Sequence, residues 1–234
     1  MINIKKYIFS VNNEILFGNS ITTEKLGKPG FVFLQGAGAV RKESRIPFCK
    51  LLLEKGISSF IFDFSGHGES TGQLQSSSLS KRVTEAKVAL KKLNRKLPIT
   101  ICASSMGGYI AIKLTETEEI KNLILMAPAV YHKKAYDVPF TDNFSKIIRR
   151  QDSWQSTDIK TSLRKFCGNL LIIIGENDDV IPRNVIKSID DNSINVIKKE
   201  IIVLPNAPHD LFSWFNNNPK TAKMIIEKII HFQS

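Results

Sequence analysis

Nowhere in its 234 residues does this chain stay apolar for anything near the roughly 20 residues that a bilayer-spanning helix needs. It also lacks any block of five or six like charges, although 33 Lys and Arg against 22 Asp and Glu leave it at +11. The basic residues come as scattered pairs, such as Lys5-Lys6, Lys91-Lys92, Arg149-Arg150 and Lys198-Lys199. Without a basic face interleaved with aromatics, no nucleic-acid partner is expected. Cysteines are few: Cys49, Cys102 and Cys167, an odd number set far apart, and with only four histidines they show no zinc spacing. Each sits beside bulky apolar residues and reads as a small buried hydrophobe in a reducing compartment. The first residues, Met-Ile-Asn-Ile-Lys-Lys-Tyr, carry no continuous apolar stretch of the secretory kind. The expectation is a cytoplasmic protein without an integral membrane segment.

What is present is an ordinary globular composition, 42% apolar and 24% charged. A chain of this length buries roughly 70% of the surface it exposes when unfolded, so it needs no disulfide or metal staple. Residues 3–9 and 14–22 read as strands joined at Asn12-Asn13 in a hairpin. Apolar runs follow at 31–34, 60–62, 99–102, 123–126, 170–174 and 201–204. They are apolar on consecutive positions, as strands covered on both faces by helices require. Between them lie amphipathic stretches. Residues 80–96 place Val83, the Lys87 stem, Leu90 and Leu93 or Leu97 on one stripe with Lys and Arg opposite, and Pro98 then stops the helix. Pro219 suits the first turn of a closing helix. The expected fold class is α/β: one domain over residues 1–234, a mostly parallel central sheet with helices on both faces. Residues 128–169 break the rhythm with no strand and many aromatics, and read as a short helical cap insertion.

In such folds ligands sit beyond the carboxyl ends of the strands. After the 99–102 run comes Ala103-Ser104-Ser105-Met106-Gly107-Gly108. Ser105 is flanked two positions away on each side by a tiny residue, Ala103 and Gly107, which a sharp strand-to-helix turn demands; Ser104 is not. A serine hydroxyl needs a base, and the base needs an orienting acid. The run 170–174 is followed by Gly175-Glu176-Asn177-Asp178-Asp179, and the run 201–204 by Pro205-Asn206-Ala207-Pro208-His209. An acid thus follows one strand end and a histidine the next, in the chain order serine, acid, histidine. The loop after 31–34, Gln35-Gly36-Ala37-Gly38-Ala39, is small enough for main-chain N–H groups to approach a substrate carbonyl. The N–H groups of Ala37 and of Met106, at a helix start, are the candidate oxyanion donors.

Four segments together carry a family resemblance: Gly36-Ala37-Gly38, Asp63-Phe-Ser-Gly66-His67-Gly68-Glu-Ser70, Ser104 to Gly108, and Gly175-x-x-Asp178 with His209. The chain resembles the α/β-hydrolases, and among them the monoglyceride-lipase and serine-aminopeptidase-like (S33-type) group. That resemblance implies an α/β-hydrolase fold with Ser105 as nucleophile, His209 as base and Asp178 as acid, the family spacing favouring Asp178 over Asp179. It also implies an oxyanion hole at Ala37 and Met106. Gln35 and Ala103 depart from it, standing where relatives often carry histidine and glycine. His67 is expected to pack or hydrogen-bond locally in a structural loop.

The activity so implied is hydrolysis of a carboxylic ester through an acyl-enzyme, needing neither metal nor organic cofactor. A thioesterase, an acyltransferase or an aminopeptidase would use the same three residues, and a non-catalytic binding module is the non-enzyme alternative. The partner is a small acyl substrate. Tyr131, Tyr136, Phe140 and Trp154 in the cap, with Phe212 after the histidine, are the candidate substrate-binding residues.

Overall fold

The computed structural model describes residues 1–38 and 40–233; Ala39, in the small-residue loop, lies outside them. Eight strands form one sheet in the order β1-β2-β4-β3-β5-β6-β7-β8. β1 (Asn3–Val11) and β2 (Glu14–Thr22) pair as the expected hairpin, with Asn12 at φ +53° in its turn. β2 runs antiparallel to β4 (Ser59–Phe62). From there β3 (Phe31–Leu34), β5 (Thr100–Ser104), β6 (Asn122–Met126), β7 (Asn169–Gly175) and β8 (Lys198–Leu204) continue the sheet in parallel.

Helices α1 (Ile46–Glu54), α7 (Leu211–Asn217) and α8 (Pro219–Gln233) cover one face, burying Phe48, Leu52, Phe212, Ile225 and Ile229 against Phe33, Cys102 and Ile173. Helices α2 (Leu79–Leu90), α3 (Met106–Leu114), α5 (Ile159–Lys165) and α6 (Arg183–Asn192) cover the other around Val83, Tyr109, Ile110, Leu163 and Ile186. Strands β3, β4, β6 and β7 are buried at every position, which is why their sequences show no alternation. β8 departs from that expectation. It is the edge strand, and Lys199, Ile201 and Val203 on one of its faces are exposed.

The amphipathic stretch 80–96 forms a shorter helix than its pattern suggests. α2 starts where Ser78 Oγ accepts the Lys81 N–H at 3.1 Å, and it ends at Leu90. The chain then turns, with the Asn94 N–H donating to Pro29 O at 2.8 Å. Its polar side is not all solvated, since Arg82 and Glu85 are fully buried. Of the cysteines, Cys49 and Cys102 are buried as expected; Cys167, in the link from α5 to β7, is exposed. No described helix is long and apolar enough to cross a membrane.

Between β6 and β7 lies α4 (Asp142–Ile148), followed by α5, and no strand. This segment is tied to the α2–α3 face. Tyr109 Oη donates to Asp158 Oδ1 at 2.9 Å, Lys113 Nζ donates to Asp158 Oδ2 at 3.0 Å, and the Phe140 N–H donates to Ser77 O at 2.9 Å.

Candidate active site

At the carboxyl end of the sheet a cavity of about 770 Å³ is lined by Ser105, His209, Ala37, Phe212 and Arg45, among others. A second cavity, about 370 Å³, lies at the opposite end beside Phe31 and Thr100 and holds none of the candidate residues.

Ser105 bridges β5 and α3 with φ +50° and ψ −118°, a combination that L-residues rarely adopt. The end of β6 holds it there: the Ser105 N–H donates to Met126 O at 3.0 Å, and Ser105 O accepts the N–H groups of Gly108 and Ala129 at 2.9 Å each. The neighbouring small residues follow from the crowding. A side chain at Gly107 would strike Leu34 O, and one at Gly108 would meet Pro128 Cβ at 2.7 Å. Ala103 is fully buried. Met106 opens α3, so its N–H has no helical carbonyl to bind, and the helix dipole aims positive potential at the space beside Ser105.

Asp178 and His209 arrive from the ends of β7 and β8. Asp178 Oδ1 accepts the N–H groups of Val180 and Ile181, both at 2.9 Å, and Oδ2 faces His209 Nδ1 at 2.9 Å. Only 3% of the Asp178 side chain is exposed. Burial pushes its carboxyl up, but the hydrogen bonds from His209, Ile181 and Val180 outweigh burial and hold it below its ordinary value. Asp179, the rival acid, is exposed and makes no such contact. The acid and histidine loops are stitched together by Asn177 N–H to Ala207 O at 2.9 Å and Glu176 N–H to Leu204 O at 2.8 Å. Gly175 permits that approach: a side chain there would run into Ala207 O, with Pro208 O at 2.6 Å.

The loop after β3 abuts the serine, for a Cβ on Gly36 would lie 3.1 Å from Ser105 Cβ. Four side chains hold this loop. Gln35 Nε2 donates to Phe62 O at 3.2 Å, and Arg82 Nη1 donates to Gly36 O at 3.0 Å. His67 Nε2 faces Gly38 O at 2.7 Å, while its Nδ1 faces Ser65 O at 3.1 Å. Lys42 donates through both its N–H (2.7 Å) and Nζ (2.9 Å) to Asp63. The carbonyl of Gly36, next to Ala37, is thus gripped by Arg82, and the His67 ring sits against the carbonyl of Gly38. Burial, with the Arg82 cation beside it, lowers the His67 pKa.

Of the aromatics expected around a substrate, Phe212 lines the cavity. Tyr131, Tyr136, Phe140 and Trp154 line no part of it. They pack beside α2 and α3 instead, Tyr131 edge-on to Tyr109 at 5.5 Å, Tyr136 tilted against Tyr109 at 6.5 Å and Phe140 on Phe144 at 4.8 Å, with Trp154 on the same core. The buried arginines Arg45 and Arg82 were not singled out by sequence. For Arg82 the spacing places a cation on a polar stripe, and only the fold reveals that this stripe meets the β3 loop.

Residues 45–156 match the model of the family described as serine aminopeptidase, S33. A Mycoplasma pneumoniae protein named as an esterase/lipase is 31% identical over 144 residues, 58% of this chain and 52% of that protein. The match therefore spans about half of that relative's length. Among solved structures, an esterase from Pyrococcus furiosus superposes with a TM-score of 0.73 at 20% identity, over 100% of this chain and 92% of that one. Est1E from Butyrivibrio proteoclasticus, solved with ferulic acid bound, gives 0.74 at 17% identity over 97% and 98%. The fold is that of the α/β-hydrolases. Within that class, the middle of the chain carries the S33 match.

Proposed function

We propose that the protein is a serine hydrolase that cleaves a carboxylic ester of modest size through an acyl-enzyme on Ser105. One observation carries the reading: a serine on a positive-φ elbow shares a cavity with a histidine whose Nδ1 is bonded to a buried carboxylate. His209 takes the Ser105 proton as the hydroxyl attacks the ester carbonyl. Asp178 fixes the proton on Nδ1, so that Nε2 is free to accept, and stabilises the imidazolium that forms. The N–H groups of Ala37 and Met106 donate to the tetrahedral oxyanion, each worth about 3 kcal/mol in the transition state. His209 then returns its proton to the leaving alcohol and deprotonates the water that releases the acid. Thioesters and amides would pass through the same steps. The names of the Mycoplasma pneumoniae relative and the Pyrococcus furiosus neighbour support an ester. The 128–169 segment is read as a cap whose rings anchor it to α3.

A fluorophosphonate probe is expected to label Ser105, and p-nitrophenyl esters of increasing acyl length are expected to give a peaked kcat/KM profile. No label and no turnover would sink the proposal; a flat profile would count against an acyl-selecting cavity.

The grip on the β3 loop makes Arg82 a positioning residue. Arg82→Met removes the donor to Gly36 O and frees the Ala37 peptide to drift. A displacement near 1 Å costs about 10²-fold in kcat, with KM changed far less, because the oxyanion forms only during reaction. Arg82→Lys keeps one donor and is expected to recover part of the loss. Unchanged kcat in a folded Arg82→Met variant would refute the role.

A further inference from the structure

The cavity wall holds a cation for which the mechanism has no use. Arg45 is 5% exposed, its guanidinium lies 4.0 Å over the Phe212 ring, and it lines the same cavity as Ser105 and His209. A buried charge is ordinarily paired, as Lys42 is with Asp63. Arg45 has no carboxylate within ion-pairing distance among the described residues. Two of the five N–H groups of its fork are taken, by Ser44 Oγ at 3.0 Å and Ser104 Oγ at 3.4 Å. The acids that share the cavity are engaged elsewhere. Glu43 pairs with Lys42, and Asp210 accepts the N–H and hydroxyl of Ser213. Asp210 offsets part of the charge through space, yet burial still pulls the Arg45 pKa down. Arg82, the other buried arginine without an ion pair, is spent on Gly36 O and does not line the cavity.

Resting on the ester-hydrolase reading, we infer that Arg45 is a specificity-determining residue and that the preferred substrate is an ester bearing a carboxylate, held by the guanidinium fork while Ser105 attacks. A planar fork with free donors suits a carboxylate, and it disfavours substrates bearing an ammonium group, such as peptides with a free amino terminus.

The test uses the full chain and two pairs of esters, followed by pH-stat. Methyl hemiglutarate against methyl hexanoate places the carboxylate on the acyl side. The butyrate esters of 3-hydroxybenzoate and 3-hydroxybenzamide place it on the alcohol side. In at least one pair the charged ester is expected to have a kcat/KM about 10- to 100-fold higher, the scale of one charge-assisted hydrogen-bonded contact. Arg45→Gln is expected to bring that ratio near one, and Arg45→Lys to retain part of it. Ratios at or below one in both pairs for the unaltered enzyme overturn the inference, and this measurement needs no variant to fold. A ratio that Arg45→Gln leaves intact also overturns it. Failure of all four esters together with no fluorophosphonate labelling of Ser105 overturns the hydrolase reading, and the inference with it.

Discussion

Ser105→Ala is expected to lower kcat by roughly 10⁶-fold, leaving only the acceleration that binding and the oxyanion donors supply. The loss should fall on kcat, since the hydroxyl is not what holds the ester. Ser105→Gly tests the geometry behind the chemistry. A non-glycine residue at φ +50° and ψ −118° stores about 1–3 kcal/mol of backbone strain. Glycine releases much of it and gives some back through the greater freedom of the unfolded chain. The inactive Ser105→Gly variant is therefore expected to be more stable than the parent by about 1 kcal/mol in urea unfolding. Turnover within tenfold of the parent for Ser105→Ala would remove the nucleophile from the scheme. A less stable Ser105→Gly would show that the elbow is relaxed.

The residues at this site differ in how visible they are from sequence, and the reasons are physical. Ser105, Asp178 and His209 stand out because each follows an apolar run, and in a parallel sheet all such runs end on the same side. Gly107, Gly108 and Gly175 stand out as small residues, although the carbonyls and the proline that would collide with a larger one are visible only in three dimensions. Strand order is not written in a hydrophobic run, so the 201–204 segment reads as a central strand although β8 is the edge. Helical periodicity separates apolar from polar faces, but it cannot tell a solvated cation from one buried against a neighbouring loop. Arg82 on α2 and Arg45, just before α1, are hidden for that reason. Aromatic content shows that the 128–169 segment must bury rings somewhere. It does not say whether they face the cavity or the flank of α3, and Tyr131, Tyr136 and Phe140 take the flank.

Asp178→Asn should cost about 10⁴-fold in kcat, although it changes the side chain by one heavy atom. The two N–H groups of Val180 and Ile181 fix one oxygen of residue 178 as an acceptor. The amide must therefore turn its NH₂ toward His209, where Asp178 places Oδ2. A donor there forces Nδ1 to be the acceptor and moves the imidazole proton to Nε2. That tautomer cannot take the Ser105 proton, and the corresponding change in serine proteases costs about 10⁴-fold in kcat. The same substitution carries a stability signature. The folded-state pKa of Asp178 lies below its ordinary value, so its carboxylate contributes stability that is fully present above about pH 4. That contribution is lost as pH falls through the lowered folded value. The stability gap between parent and Asp178→Asn is thus expected to be widest at neutral pH and to close on acidification, as read from urea unfolding at a series of pH values. A gap that widens below pH 4 would mean that Asp178 is neutral in the folded state. It could then neither hold the Nδ1 proton as an acceptor nor stabilise the cation on His209, and the histidine would have to find its orientation elsewhere.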